Sequence, residues 1–479
     1  MKRQLIISRD RQETRVVLLE YGRAAELHVE RRGSPSIVGN IYKGRVENVL
    51  AGMDAAFVNI GLERNGFLYV DEVSAPEERG RGKRRITRLL QGGKEVLVQV
   101  ARDALGSKGP RLTTQLCLAG RLLVLMPLAT ASGVSRRLEE PERERLRSEC
   151  GELDPGKAGL IARTAAEGAA AEALRRDLRF LRRMWEGVER RAAAASAPAL
   201  VYREPELAMR SVRDLFGPDF GTVTVDDAQL HRRLVNYVHA LAPELDGRVG
   251  LYECDCPLFD SYDLEGEFRK ALAKRVELPS GGYIVVDHTE AMTVIDVNTG
   301  SYVRGRFLED TTLKTNVEAC REIVRQLRLR DIGGIIVIDF IDMATESNRE
   351  AVLTTLKAEL AQDRTKTYVV EISPLGLVEM TRQNTALGLR DVVTVTCPTC
   401  RGEGRVMSEE TALVEVERSL RRLAGSSALP GLRAEVHPFV AARLLGGLLR
   451  DIEAETGRRI FVQMADAHVP LDHCAIVGD

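Results

Sequence analysis

Two apolar segments that each end in aspartate, with a helical pattern between them, most constrain how this chain can fold. The sequence in question is YIVVDHTEAMTVIDVNTG (283–300), TNVEACREIVRQLRLRDIGG (315–334) and IIVIDFID (335–342). Apolar residues recur in the middle segment at helical spacing, namely at Val317, Cys320, Val324 and Leu327. Because the pair Gly333–Gly334 is a typical helix stop, we predict two strands, a helix over 315–334 and a further strand.

The two aspartates are predicted to converge at one edge of a sheet. A helix that connects two strands usually makes them parallel, so both present their carboxyl ends at the same edge. Asp296 and Asp339 stand at those ends, and Asn298 follows on the same face as Asp296. Two carboxylates and an amide suit Mg²⁺, which keeps several waters and binds a substrate phosphate. The pattern indicates phosphoryl transfer or phosphodiester hydrolysis, although a lone aspartate at a strand end more often caps a turn.

Residues 36–117 contain alternating apolar and polar segments that predict a small β-barrel. The five segments are IVGNIYKGRV, DAAFVNIG, NGFLYVDEV, KEVLVQV and PRLTTQL. Phe57 and Phe67 lie in polar-flanked strands where an OB fold places base-stacking aromatics, and RGRGKRR (79–85) forms a basic loop. These features outline a nucleic-acid surface, while the alternative is two core phenylalanines and a solvated charged loop.

Composition sets the broad class of protein. The chain has 479 residues, which indicates roughly three domains of about 100–200 residues each. With 44% hydrophobic residues and no long apolar run, we expect neither a membrane segment nor a signal peptide. Eight scattered cysteines point to the reducing cytoplasm without disulfides, and a net charge of −1 identifies no partner.

Three further segments are interpreted as structural. The first residues, MKRQLIISRD, are expected to form a strand, and 165–194 a helix. In that helix Leu174, Leu178, Leu181 and Trp185 share one face, which indicates packing and not a cofactor site. Residues 409–479 predict an amphipathic helix followed by a small α/β domain.

The stretch CPTCRGEG (397–404) is typical of a zinc knuckle but provides only half of a site. Cys397 and Cys400 give two of the four ligands that a tetrahedral zinc needs. Cys254 and Cys256 are able in principle to complete a site within one chain, although a structural role for that pair is the commoner outcome. A redox role for the knuckle is the lesser alternative.

The motifs together resemble the ribonuclease E/G family of bacterial endoribonucleases. The resemblance rests on IDVNTG (295–300), the segment 316–343, LGLVEMTRQ (375–383) and CPTCRGEG, and it runs from the first strand to residue 407. The chain is expected to belong with the family members that lack a long disordered extension.

The resemblance implies a multidomain α/β architecture. Its parts are an RNase H-like subdomain (1–35 plus 210–280), an S1-type OB-fold β-barrel (36–117), a 5′-sensor region with a connecting helix (118–209), a DNase I-like catalytic subdomain (281–395), a zinc link (396–408) and a small C-terminal oligomerisation domain (409–479).

The resemblance also assigns site residues. It places Mg²⁺ on Asp296 and Asp339 with support from Asn298, and structural Zn²⁺ on Cys397 and Cys400, shared between two subunits of a homodimer or tetramer. Contacts to single-stranded, A/U-rich RNA fall to Phe57, Phe67, Arg102 and Lys108. The 5′-monophosphate sensor falls to Gly120, Val124, Arg163, Thr164 and Lys366, and Lys366 keeps the charge but not the planar fork of an arginine.

The implied function is cytoplasmic RNA cleavage that leaves 5′-phosphate and 3′-hydroxyl ends, in rRNA processing or mRNA decay. Two other hypotheses stay open. One is a nonenzymatic RNA-binding assembly factor in which the carboxylates are structural. The other is a metal-dependent DNase or phosphoesterase, against which the barrel and sensor motifs argue.

Overall fold

The described part of the chain is built from five β-sheets and the helices packed on them, as seen in a computed structural model. The structure describes residues 3–74, 85–104, 108–130, 132–300, 308–373, 375–383, 388–426, 431–466 and 469–478. It divides into two units, Met1–Val393 and Thr394–Asp479. No helix in the described ranges is long and apolar enough to cross a membrane.

The strands are numbered in the order in which they occur along the chain. They are β1 Arg3–Arg9, β2 Glu13–Glu20, β3 Arg23–Arg31, β4 Ile41–Leu50, β5 Ala55–Asn59, β6 Gly66–Tyr69, β7 Glu95–Arg102, β8 Arg111–Thr113, β9 Leu118–Ala119, β10 Leu123–Met126, β11 Gly133–Val134, β12 Gly159–Ala162, β13 Ala199–Tyr202, β14 Phe220–Val225, β15 Val249–Leu251, β16 Arg275–Glu277, β17 Tyr283–His288, β18 Met292–Asn298, β19 Gly334–Asp339, β20 Thr367–Ile372, β21 Leu377–Arg382, β22 Gly431–Val436, β23 Arg459–Met464 and β24 Cys474–Gly478.

The α-helices are interspersed among these strands. They are α1 Ile86–Leu89, α2 Glu140–Glu152, α3 Ala171–Ala194, α4 Leu207–Leu215, α5 Ala228–Leu241, α6 Leu258–Ser261, α7 Leu264–Lys270, α8 Leu308–Leu329, α9 Glu346–Leu360, α10 Leu389–Val393, α11 Glu409–Ser426, α12 Pro438–Arg443 and α13 Leu449–Thr456.

The aspartate-tipped strands lie side by side in a six-stranded sheet. Its order is β16-β17-β18-β19-β21-β20, and β18 and β19 are parallel across α8, as the strand–helix–strand pattern predicts. The predicted helix bounds are wrong: α8 begins before residue 315 and ends at Leu329. The chain already turns at Asp331, whose φ is +49°, so the helix stops before the glycine pair. The last strand likewise ends at Asp339 and not at residue 342.

One face of this sheet is covered and the other carries the polar residues. Residues of α8 pack on the covered face, among them Cys320, Ile323 and Leu327, each fully buried. Along β18 and β19 the burial alternates, so Asp296 and Asp339 point to the uncovered face. The sheet therefore forms a buried core beneath its two carboxylates.

The barrel prediction for 36–117 is confirmed. Strands β4, β5, β6, β8 and β7 follow in order, and β7 pairs back with β4, which closes a five-stranded barrel consistent with an OB-like fold. Its interior contains Val46, Val58, Leu68, Val98 and Leu112. Of the predicted basic loop 79–85, only Arg85 lies within the described residues.

The first strand is also confirmed, in a five-stranded sheet of order β15-β14-β1-β2-β3. β1 pairs in parallel with β14, so that Leu5 lies opposite Val223. Helices α4 and α5 contribute to the core on one side of this sheet. Residues before and after the barrel thus build a single sheet.

The segment after the barrel forms a four-stranded sheet of order β11-β12-β10-β9, against which α3 packs. Leu174, Leu178 and Leu181 of α3 are buried and Trp185 is half-buried, which confirms a packing face. The helix begins at Ala171, six residues later than the expected 165, because 164–166 form a short 3₁₀ turn.

The second unit contains α11 and a three-stranded sheet of order β23-β22-β24, with α12 and α13 completing its core. This agrees with the α/β prediction for 409–479. The multidomain α/β class and the closed barrel are confirmed, while the likeness of individual parts to RNase H or DNase I stays a prediction. None of the eight cysteines is in a disulfide.

Candidate active site and nucleic-acid interface

The two predicted catalytic aspartates face each other on adjacent strands. Asp296 of β18 is the register partner of Asp339 of β19, and both are exposed. The amide nitrogen of Asn298 donates to Oδ2 of Asp296 at 2.8 Å. The structure therefore brings all three residues together, and the bond leaves the amide oxygen of Asn298 available as a further oxygen ligand.

The carboxylate pair concentrates negative charge at the ends of β18 and β19. Partial burial and the nearby carboxylates of Asp296 and Asp342 raise the pKa of Asp339. Among the residues that the structure describes, no cation forms an ion pair with Asp296, Asp339 or Asp342. The described side chains form no group of three or more histidine, cysteine or acidic residues positioned to hold a metal. Two carboxylates and an amide fit a cation that retains most of its water ligands, as Mg²⁺ does.

A buried asparagine fixes the loop that follows Asp339. Asn316, fully buried in α8, donates from its amide to the carbonyl of Ile341 at 2.9 Å and accepts from the Ile341 N–H at 3.1 Å. Sequence reasoning missed this residue, and the available signal was an amide beside the apolar face of the helix. The reciprocal bonds hold the chain where it leaves the carboxylate edge.

A cavity of about 700 Å³ opens beside this loop. Its walls include Asp342, Glu346 and Arg349, together with Glu371 and Ser373 from the end of β20. It therefore borders the end of β19, directly after Asp339.

The predicted RNA-binding aromatics form an edge-to-face pair on the barrel. Phe57 of β5 and Phe67 of β6 are register partners, and their ring centroids are 5.8 Å apart at 67°. Phe67 also lies opposite Arg111, which lies opposite Arg102. One row across four strands therefore reads Phe57, Phe67, Arg111, Arg102. Arg111 was missed because strand register is not visible in sequence.

A close backbone approach places Lys108 near the start of β6. A side chain on the following residue, Gly109, would lie 2.1 Å from the carbonyl oxygen of Asn65, just before β6. The Phe67 N–H donates to the Pro110 carbonyl at 2.8 Å, which holds β6 against the segment that leads into β8. Lys108 is exposed there, next to the strand that carries Phe67.

Four of the five predicted sensor residues belong to one small region. Val124 of β10 lies opposite Ile161 of β12, and Arg163 follows that strand, donating from its guanidinium to the Gly120 carbonyl. The Thr164 hydroxyl lies 2.9 Å from that of Ser135. The structure thus brings Gly120, Val124, Arg163 and Thr164 together.

A buried carboxylate shapes the loop at Gly120. Asp177 of α3 accepts hydrogen bonds from the backbone N–H groups of Arg121, Leu122 and Leu123, at 2.8 to 3.1 Å. A side chain at Gly120 would lie 2.4 Å from Asp177 Oδ2, so glycine is required there. Asp177 was not found from sequence, because its partners lie over 50 residues away.

Lys366 stands apart from the other sensor residues. Among the described residues, no hydrogen bond or ion pair joins it to the other four. Its loop does approach them, since Arg137 donates to the Asp363 carbonyl at 3.0 Å. That loop is anchored by buried Arg382, which bonds the Asp363 carboxylate at 2.7 Å.

The segment CPTCRGEG (397–404), predicted to be half of a zinc site, contains two tight turns. Arg401 N–H donates to the Cys397 carbonyl and Glu403 N–H to the Cys400 carbonyl, each at 2.8 Å, and both Arg401 and Gly402 have positive φ. Backbone N–H groups of Cys400 and Thr399 lower the pKa of the Cys397 thiol, which favours the metal-binding thiolate. Cys254 and Cys256 are exposed in the other unit.

Comparison with known proteins agrees with this arrangement. Residues 117–385 match the Ribonuclease E/G family. Over 475 residues the chain is 41% identical to Ribonuclease G of Salmonella typhimurium (strain SL1344), covering 97% of each protein. It is 40% identical to Ribonuclease G of Haemophilus influenzae over 96% of each, and 38% identical to Ribonuclease E of Escherichia coli K12 over 94% of this chain but 43% of that protein. The expected likeness to the shorter members is confirmed, and the chain belongs to the ribonuclease E/G family.

Proposed function

We propose that this protein is a Mg²⁺-dependent endoribonuclease that cleaves single-stranded RNA. The observation that carries the proposal is the register pair of Asp296 and Asp339 on an uncovered sheet face, without a described cation to balance them. Relatives called ribonuclease G, similar over almost their whole length, support RNA as the substrate.

The three site residues have distinct roles in this proposal. Asp296 and Asp339 hold the cation, and Asn298 orients the Asp296 carboxylate through its 2.8 Å bond. Bound Mg²⁺ would polarise the scissile phosphate, facilitate deprotonation of water and neutralise developing negative charge. Water adds to phosphorus, the bond to the 3′ oxygen breaks and that oxygen takes a proton. The products carry a 5′-phosphate and a 3′-hydroxyl.

The barrel row gives the preference for single-stranded RNA. Phe57 and Phe67 offer rings on which unpaired bases stack, and Arg102 and Lys108 neutralise phosphates. Stacking is tolerant of sequence, which fits a loose A/U-rich preference and not a strict recognition sequence.

Replacing Phe57 or Phe67 with alanine should weaken RNA binding. We expect the Kd for a single-stranded A/U-rich RNA to rise about tenfold for either variant, because each loses one stacking surface. Fluorescence anisotropy in Mg²⁺-free buffer measures this without cleavage. Tyr21→Ala is the matched control, since Tyr21 is 75% exposed at the turn between β2 and β3. Equal Kd values for all four proteins would contradict the barrel interface.

The cluster around Arg163 supports a sensor for a 5′-monophosphate. Guanidinium and hydroxyl donors are able to share the phosphate oxygens, whereas the larger triphosphate fits poorly.

For Cys397 and Cys400, two thiols in tight turns fit half of a zinc site, so we propose one Zn²⁺ shared between two subunits of a homodimer or tetramer. The proposed setting is the cytoplasm, in rRNA processing and mRNA decay.

The wild-type protein tests the proposal directly. We expect internal cleavage of an A/U-rich single strand with Mg²⁺, none with chelator, and a kcat/KM at least about tenfold higher for a 5′-monophosphate than for a 5′-hydroxyl RNA. A single-stranded DNA of the same sequence should be cut poorly. RNA that is bound but uncut would instead support the assembly-factor hypothesis, and efficient DNA cleavage would support a DNase.

A further inference from the structure

A groove of about 780 Å³ opens beside the sensor arginine. Its lining includes the arginines Arg163, Arg210, Arg213 and Arg364, and Asp214 together with five further carboxylates. Thr164, Val124 and Lys366 are not part of this lining. The groove therefore reaches Arg163 from a side that the sequence-based assignment did not consider.

Asp214 holds two of these arginines on one wall. Its Oδ1 lies 2.8 Å from Nη1 of Arg163, and its backbone carbonyl accepts from Nη1 of Arg364 at 3.2 Å. Buried Arg213 donates to both carboxylate oxygens of Asp214 at 3.0 Å, which fixes the orientation of the Asp214 side chain. Arg163 and Arg364, 201 residues apart in sequence, thus share one anchor.

The bonds of Arg163 leave one edge of its guanidinium unused. Its Nη1 donates to the Gly120 carbonyl and lies 2.8 Å from Oδ1 of Asp214. Among the described residues nothing bonds to its Nε or Nη2. These two groups form one side of the guanidinium, which can donate two parallel hydrogen bonds to a phosphate.

Arg364 is the arginine on this wall that has no ion pair among the described residues, although the carboxylates of Glu26 and Asp219 favour its charged form from a distance. Arg210 is paired with Glu30 at 3.1 Å and Arg213 with Glu204 at 2.6 Å. Arg364 is exposed, and within the described ranges its hydrogen-bond partner is a neutral carbonyl, without an ion pair. A dianionic phosphate bound beside Arg163 would balance the positive charge of Arg364.

We propose that Arg364, and not Lys366, is the second cation that binds the 5′-monophosphate, with the groove taking the terminal nucleotide. This inference rests on the proposed sensor function and specifies its ligands. Asp214 acts as a positioning residue, since it presents both arginines and does not itself favour an anion.

Neighbouring residues of one loop give a matched test. The readout is the ratio of kcat/KM for 5′-monophosphate over 5′-hydroxyl RNA, in wild type, Arg364→Gln, Arg364→Lys and Lys366→Gln. We expect Arg364→Gln to lower this ratio about tenfold, as loss of one charge-assisted bond predicts. Arg364→Lys should recover part of it, because the charge returns without the fork. Lys366→Gln should keep the wild-type ratio.

The possible outcomes separate the inference from the proposed function. A ratio lost in Lys366→Gln and kept in Arg364→Gln would overturn the inference and leave the sensor intact. A ratio near one in the wild type would remove the sensor itself. Thermal unfolding checks that the variants fold, which we expect since Arg364 is exposed and makes one bond to a carbonyl. If Arg364→Gln unfolds at a lower temperature than wild type, the ratios of Arg364→Lys and Lys366→Gln are compared instead. A lower ratio in Arg364→Lys than in Lys366→Gln would support the inference, and the reverse would overturn it.

Discussion

Replacing Asp296 or Asp339 with asparagine is expected to lower kcat for RNA cleavage by about 10³-fold or more. Each substitution removes one of the two negative charges that would hold the cation, while the shape of the side chain is kept. The variants should fold at least as well as wild type, because the Asp296 carboxylate contributes to the raised pKa of Asp339 and the two carboxylates repel when both are ionised. Single-turnover cleavage of a labelled RNA measures the loss, and thermal unfolding checks the fold.

Asp287→Asn is the matched control for these variants. Asp287 lies on the same sheet face, opposite Val294 of β18, but forms an ion pair with Lys274 at 2.5 Å. We expect it to cleave RNA within about threefold of wild type, since an exposed ion pair contributes little. RNA binding by Asp296→Asn should be retained through the barrel. Cleavage by Asp296→Asn at the wild-type rate would refute the assignment of the site.

Replacing Cys397 or Cys400 with serine is expected to abolish zinc binding and separate the protein into smaller assemblies. Each chain offers only half of the ligand set in this knuckle, so the metal and the association depend on each other. Light scattering after size exclusion gives the mass, and metal analysis should give about 0.5 Zn²⁺ per wild-type chain. Chelator treatment of the wild type should reproduce the change in mass.

The double variant Cys254→Ser/Cys256→Ser is the control, and we expect it to keep both zinc and assembly. The contrary result has a clear meaning. One zinc per chain, lost in both the Cys254/Cys256 and the Cys397/Cys400 variants, would show a site completed within one subunit. Assembly that survives without zinc would place the subunit contacts elsewhere.

Much of the fold could be predicted because it depends on local pattern. Alternating residues indicated all five barrel strands, and helical spacing indicated α8 and the packing face of α3. Helix ends were less accurate: α8 stops at Leu329 because Asp331 adopts a left-handed conformation. Such a turn is common for glycine and unusual for aspartate, so the glycine pair at 333–334 was the wrong guide.

The candidate site could be predicted only where the chemistry of the side chain by itself indicates the role of the residue. Asp296 and Asp339, which the structure brings together, are of this kind, while the zinc role of Cys397 and Cys400 stays a prediction. Asn316, Arg111 and Asp214 are not of this kind, because their roles come from partners distant in sequence: a loop carbonyl, a neighbouring strand and two arginines. Strand register and tertiary bonding decide these roles, and neither is encoded in a short motif.

The shared sheet of β1 to β3 and β14 to β15 sets an order for biosynthesis. β1 leaves the ribosome with its partner β14 still unmade, and its residues Leu5 and Ile7 are fully buried only once α4, α5 and β14 have joined them. At typical synthesis rates the roughly 200 intervening residues take about 10–40 s. The barrel, complete within residues 41–113, is able to fold during that interval. A nascent chain paused before residue 220 would therefore present a finished barrel beside an unpaired apolar strand edge, the kind of edge that chaperones protect.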